Sequence, residues 1–385
     1  MMSSAFRLGR RQFLQISAAS VVAGFGGRFG RAAEPTVEPQ VQDGIAWYDV
    51  KQWGVEGRGW ADTARYFDRL PAKAEGQVPG AVWSLSRHSA GMLVRFQTNA
   101  SAIHARYALL SANLAMPHMP ATGVSGLDLY ARDAEGRDRW LAVARPTAQQ
   151  MTLELAASID PLQDDQPRLY TLYLPLYNGV ESLEIGVSPQ AVFQPVAPRA
   201  APPMVFYGTS IMHGGCASRP GMSITGILGR RLDRPVINLG FSGNGRMDAA
   251  VVDLLAELEP CVYAIDCLPN MVAEQVAERA EPLVRRLRQA RPKTPILLVE
   301  DRTYTNAAFR QSSRDRHAGA RAELRKAYEL LTAAGVEQLH YLQGDALLGD
   351  DGEAATDGSH PSDLGMVRYA DAYEHSLRTI LRQDA

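Results

Sequence analysis

Cysteine is scarce in this chain, with three residues in 385. Cys216, Cys261 and Cys267 allow at most one bridge, which excludes a disulfide-stapled scaffold. Metal-ligand spacing is lacking too: His213 and Cys216 stand three apart, but no second pair completes a zinc site. The expectation is therefore no metal, and the chemistry read below calls for no cofactor. Charge of one sign is also missing. A net charge of −2 provides no field that would draw in nucleic acid or anionic lipid. The one basic cluster, Arg285, Arg286, Arg288 and Arg291, follows an amphipathic helical pattern and reads as a solvated face. The apolar run from Ile16 to Gly27 is too short and too rich in glycine to span a bilayer.

What is present describes a globular protein with room for two domains, 46% hydrophobic and 21% charged. The first residues differ from the rest. Arg10-Arg11-Gln12-Phe13-Leu14 precedes the apolar run, and small residues follow at Ala32 and Ala33. A charged start, a short apolar core and small residues describe an export signal over residues 1–33. The paired arginines resemble the twin-arginine type, which implies a periplasmic or secreted protein without stable membrane insertion. Arg31 sits poorly before a cut after Ala33, so the cleavage point stays open.

Residues 35–195 read as β-structure. Met92–Phe96, Ile103–Tyr107, Leu127–Tyr130 and Leu169–Leu174 are short runs that alternate or are rich in aromatic and β-branched residues. Glu135-Gly136 and Tyr177-Asn178-Gly179 are turn signals between such runs, and no long helical period interrupts them. That spacing predicts an all-β sandwich. Residues 196–203 then form a Pro/Ala stretch that reads as a semi-rigid linker. From Met204 onward, short apolar strands alternate with helical segments to the end, predicting a parallel sheet with helices on both faces. Ligands of such sheets bind at the carboxyl ends of the strands.

The residues with chemical potential fall at those ends. Ser210 follows the first strand, Gly243 the second, Asn270 the third, and Asp357 with His360 the fifth. A serine hydroxyl needs a base to act as nucleophile near neutral pH. His360 can supply it, and Asp357, three residues earlier in a glycine-containing loop, can hold the imidazole in the useful tautomer. Negative charge on a carbonyl oxygen needs donors. The backbone N–H groups of Ser210 and Gly243 and the side-chain amide of Asn270 are the candidates. Taken singly, each element has a structural reading as a turn or a helix cap. Their order and their shared sheet edge argue for a site.

This pattern resembles the SGNH (GDSL-type) hydrolase superfamily. Ser210 lies in Gly208-Thr209-Ser210-Ile211, Gly243 in Gly240-Phe241-Ser242-Gly243-Asn244, Asn270 in Cys267-Leu268-Pro269-Asn270, and His360 in Asp357-Gly358-Ser359-His360. The resemblance implies a flavodoxin-type three-layer α/β fold over residues 204–385. It also implies a serine esterase with Ser210, Asp357 and His360 catalytic, and Ser210, Gly243 and Asn270 forming the oxyanion hole. Thr209 departs from the usual Asp, and Cys267-Leu268-Pro269 from the usual Gly before the Asn. Gly126-Leu127-Asp128-Leu129-Tyr130 resembles the GxDLY domain, a jelly-roll-like sandwich that precedes such hydrolases. The implied substrate is an O-acetylated carbohydrate, or another small-molecule ester. A lipase, an acyltransferase and a non-catalytic glycan binder using Trp47, Trp53, Trp60 and Trp83 are the competing readings. Thr209, His118 and Arg219 are candidate substrate contacts. Glu300-Asp301-Arg302, at the end of the fourth strand, has the right position and no evident role.

Overall fold

The computed structural model describes residues 37–383, so the expected export segment lies outside the described residues. Among the described residues the N-terminal half holds ten strands: β1 (Gln40–Gln42), β2 (Ile45–Asp49), β3 (Leu93–Thr98), β4 (Ile103–Leu109), β5 (Asp128–Arg132), β6 (Asp138–Val143), β7 (Gln150–Ala156), β8 (Arg168–Tyr173), β9 (Val180–Val187) and β10 (Phe193–Val196). They form two antiparallel sheets, ordered β1-β2-β9-β4-β7 and β10-β3-β8-β5-β6. Alternation explains the packing. In β4, Ile103, Ala105, Tyr107 and Leu109 are buried while the residues between them are half-exposed. They share one core with Val94 and Phe96 of β3 and Leu172 of β8, from the opposite sheet. The expected sandwich is present.

The stretch between β2 and β3 is where the all-β expectation falls short. It carries helix α1 (Gly80–Ser86), and a second short helix, α2 (Ala121–Val124), precedes β5. Leu70, Ala74, Val78 and Val82 leave the sandwich core and join Val205, Tyr207 and Phe241 of the C-terminal half. Their apolar surface is satisfied across the chain rather than locally, so no periodic signal marks it.

The Pro/Ala stretch is anchored at both sides. Arg199 bonds Glu56 through its backbone N–H and its Nε (3.1 and 3.0 Å) and reaches Asp233 with Nη1 (2.9 Å). It is a clamp between the halves and not a free spacer.

The C-terminal half alternates strand and helix: β11 (Met204–Gly208), α3 (Ser210–His213), α4 (Ile224–Arg231), β12 (Val236–Gly240), α5 (Ala249–Glu257), β13 (Val262–Asp266), α6 (Ala273–Ala290), β14 (Ile296–Val299), α7 (Gln311–Ala333), β15 (Leu339–Leu342) and α8 (Asp363–Gln383). The strands are parallel, in the order β12-β11-β13-β14-β15. Along β11, Val205 and Tyr207 face a core shared with α5, α6 and α7, and Met204 and Phe206 face one shared with α4 and α8. These are the three layers of the expected fold. The register sets Gly208 level with Gly240 and with Asp266. Three loops thus start at one height beside β11, where the strand order reverses and such sheets bind ligands.

Candidate active site

Ser210 leaves the end of β11 as the first residue of α3. Thr209 is the N-cap, and its Oγ1 accepts from the Ile211 N–H at 3.3 Å. Threonine and aspartate both cap helices in this way, so the departure from Asp keeps the local geometry. Thr209 is fully buried and committed to this cap, which removes it as a substrate contact.

Ser210 is 7% exposed. Its Oγ stands 2.8 Å from His360 Nε2, and the Nδ1–H of that ring donates to Asp357 Oδ2 at 2.7 Å. The 356–361 loop folds around the same carboxylate. Asp357 Oδ1 accepts from the backbone N–H of Ser359 (2.9 Å) and of His360 (2.8 Å). Partial burial raises the Asp357 carboxyl, but the bonds from His360 and Ser359 outweigh it and hold the group at about 2. Asp357 is therefore anionic at any neutral assay pH.

Arg302 resolves the question left by Glu300-Asp301-Arg302. Its Nε donates to the Ser359 carbonyl at 3.2 Å, and its Nη groups bond Ser359 Oγ and Asp301. The Thr305 N–H reaches the Gly358 carbonyl at 3.0 Å. The end of β14 thus braces the loop that carries His360. Glu300 turns away, accepting from Arg325, Tyr341 and the Gly344 N–H.

Gly243 lies exposed in the loop after β12 with φ +70°, a conformation that favours glycine. Two residues on, Gly245 lies against the end of β11, where an added Cβ would stand 2.1 Å from the Gly208 carbonyl oxygen. No larger residue permits that approach. The Gly245 N–H donates to Asn270 Oδ1 at 3.3 Å. This bond turns the Asn270 carbonyl toward the β12 loop and leaves its NH₂ as the free donor. Asn270 ends a 3₁₀ turn, and Val272 caps α6, so a capping role for Asn270 does not hold.

His118 comes from the N-terminal half. A short bridge between Met116 and Met119 holds its loop, and the exposed ring lies 6.1 Å from that of His360, centroid to centroid. Arg219 is placed differently from the expectation. Its Nη1 bonds Asp128 Oδ2 (2.9 Å) and the Tyr130 hydroxyl (2.6 Å), so the guanidinium serves the interface between the halves. The tryptophans do not form a sugar platform either. Trp47 and Trp53 are buried, while Trp60 and Trp83 pack partly buried against the C-terminal core.

Residues 201–378 match the model of the GDSL-like lipase/acylhydrolase family, and residues 45–193 match the GxDLY model, the N-terminus of SGNH-hydrolase-type esterases. The solved structure of a Bacteroides ovatus protein named as a GDSL-like lipase is 30% identical, covers 88% of this chain and 98% of its own, and has a TM-score of 0.83. The chain belongs to this family. It is an ester hydrolase of the SGNH type with the GxDLY sandwich in front. Two further structures share the fold at low identity. The salicylyl-acyltransferase SsfX3 of a tetracycline biosynthetic pathway is 17% identical over 90% of this chain and 94% of its own, at a TM-score of 0.63. A family two carbohydrate esterase from Cellvibrio japonicus is 14% identical over 88% and 98%, at 0.56. No curated protein matches significantly.

Within this family member the GxDLY motif has a physical reading. Asp128 is wholly buried and accepts from Arg219 Nη1, the Gly221 N–H (2.8 Å) and Trp140 Nε1 (3.0 Å). Arg219 also lies over the rings of Tyr130 and Trp140. The motif fastens the sandwich to the segment that follows the Ser210 helix.

Proposed function

We propose that the protein is an exported serine esterase that removes acetyl groups from a carbohydrate through an acyl-enzyme on Ser210. The observation that carries the mechanism is the unbroken hydrogen-bond chain from Ser210 Oγ through His360 to the anionic Asp357. In this reading Ser210 Oγ attacks the ester carbonyl while His360 Nε2 takes its proton. The carbonyl electron pair moves onto oxygen, where the N–H groups of Ser210 and Gly243 and the amide of Asn270 meet it. The oxyanion collapses, the C–O bond breaks, and His360 protonates the departing sugar hydroxyl. Water then repeats the sequence, releasing acetate and restoring Ser210.

The carbohydrate is supported by the name of the family two esterases that share the fold. Export is supported by the twin-arginine-like start of the sequence; among the described residues no helix is long and apolar enough to cross a membrane. Acetate release from acetylated xylan, xyloglucan, pectin and chitin fragments, set beside p-nitrophenyl esters of increasing chain length, tests the substrate. Fastest turnover on acetyl esters, with release from at least one glycan, is expected. Fastest turnover on long acyl chains would replace this reading with a lipase. The fold shared with an acyltransferase gives the competing fate of the acyl group a specific test, since an added alcohol acceptor would divert acetate into a new ester.

Asn270 offers a separate check on the oxyanion assignment. Asn270→Ala is expected to lower kcat by about 10²–10³ with KM little changed, as loss of one such donor does. Equal kcat for the variant and the parent would remove Asn270 from the hole.

A further inference from the structure

Behind Ser210 lies a buried group of polar side chains drawn from both halves. Arg69, 1% exposed, sits between the sandwich side and the C-terminal sheet. Its guanidinium donates to four backbone carbonyls: Leu85 (2.7 Å), Gly240 (2.8 Å), His88 (2.9 Å) and Asn238 (3.1 Å). Its Nη2 also lies 3.4 Å from His213 Nε2. His213, in α3 three residues after Ser210, is fully buried, and its ring stacks on Tyr177 at 4.1 Å. Burial holds both His213 and His88 below the ordinary imidazole range, so neither adds a second charge beside Arg69.

Tyr177 carries this arrangement into the site. Its hydroxyl donates to the Ser210 carbonyl at 3.2 Å. The same phenol lies close enough to the side chain of Ser242, the residue before Gly243, for the two to interact. One hydroxyl therefore holds the carbonyl of the serine and lies beside the loop of the second proposed oxyanion donor. The Ser210 carbonyl has two other donors, the N–H groups of Gly214 (3.1 Å) and Gly215 (2.8 Å), both from its own turn. Tyr177 is the contact that ties this peptide to the N-terminal half.

We infer that Tyr177, backed by the His213 ring and the Arg69 guanidinium, is a positioning residue that sets the Ser210 peptide against the Gly243 loop. The sandwich then completes the active site. The physical reason is that Ser210 presents its Oγ and its N–H from one residue, whose carbonyl the phenol holds. A small shift of that residue misplaces nucleophile and oxyanion donor together, and a displacement of about 1 Å can lower a rate 10²-fold. Burial keeps the phenol protonated well above its ordinary range, so the donor persists at every working pH.

This inference rests on the serine-esterase reading, and the test separates the two. Tyr177→Phe keeps the ring stacked on His213 and removes only the hydroxyl. In the full-length protein we expect kcat on p-nitrophenyl acetate to fall about tenfold, the equivalent of one hydrogen bond. KM, the shape of the pH–rate profile and the melting temperature should stay near those of the parent. Ser242→Ala, which removes the hydroxyl of the loop beside the phenol, should lower kcat in the same direction and serves if Tyr177→Phe folds poorly. Arg69→Lys keeps the charge but loses the fork that reaches four carbonyls, and kcat should fall further, about 10²-fold. If Tyr177→Phe and Ser242→Ala both turn over at the parental kcat while Ser210→Ala is inactive, the inference is wrong and the esterase reading stands. If Ser210→Ala is itself active, the esterase reading fails first.

Discussion

Ser210→Ala should lower kcat on p-nitrophenyl acetate by about 10⁴-fold or more, with the fold unchanged. The expectation follows from the geometry of one hydroxyl. Its Oγ is the only end of the Ser210–His360–Asp357 chain that could bond carbon, and alanine leaves His360 with nothing to deprotonate. Residual turnover, about 10³–10⁴ above water, would come from the oxyanion donors and binding alone. His360→Ala should fall to the same level, and the double variant no lower, because the pair acts as a unit. Steady-state kinetics on freshly purified protein, with a melting curve for each variant, reads all three. A Ser210→Ala protein within tenfold of the parent would end the serine mechanism. Additive losses in the double variant would show that His360 acts on something other than Ser210.

The second large effect is on stability. Asp128→Ala should destabilise the protein by about 3–5 kcal/mol, the range for breaking a buried ion pair by removing one partner. Three donors would lose their acceptor at once: Arg219 Nη1, the Gly221 N–H and Trp140 Nε1. The guanidinium would keep the Tyr130 hydroxyl but no carboxylate. Arg219→Met should recover part of the loss when added to Asp128→Ala, because the stranded charge is then gone. Urea unfolding of the four proteins of this cycle measures the coupling. Strict additivity would mean that Asp128 and Arg219 do not act together.

Much of the site was legible because the chemistry lies in short blocks at strand ends. Ser210, His360 and Asp357 stand within hydrogen-bonding distance, and Asn270 joins the Gly243 loop through Gly245. Asp357 and His360 needed only a local turn, three residues long, to meet. Arg219 misled for the opposite reason. Its place after Ser210 suggested a pocket, but its partner Asp128 is 91 residues away and buried. Thr209 misled because a cap and a substrate contact need the same kind of side chain. The helical segment before β3 escaped because Leu70, Ala74, Val78 and Val82 bury their apolar surface in the other half.

Tyr177 and Arg69 carried no signal at all. Tyr177 read as part of a turn, and Arg69 drew no reading, yet Arg69 reaches Gly240 across 171 positions. Local periodicity records which face of an element is apolar. It does not record which distant carbonyl a buried guanidinium will satisfy.

From its sequence alone, the chain was determined to be a sandwich followed by a three-layer hydrolase, with a serine, a histidine and an aspartate at one sheet edge. Strand alternation, helix period and short motifs are local properties, and they survive in one dimension. The tertiary structure decided the rest. It made the Pro/Ala stretch a clamp, turned the GxDLY aspartate into an anchor, and placed His118 near His360 and Tyr177 beside Ser210. Those outcomes depend on burial and on partners far apart in the chain, which exist only once the two halves have packed.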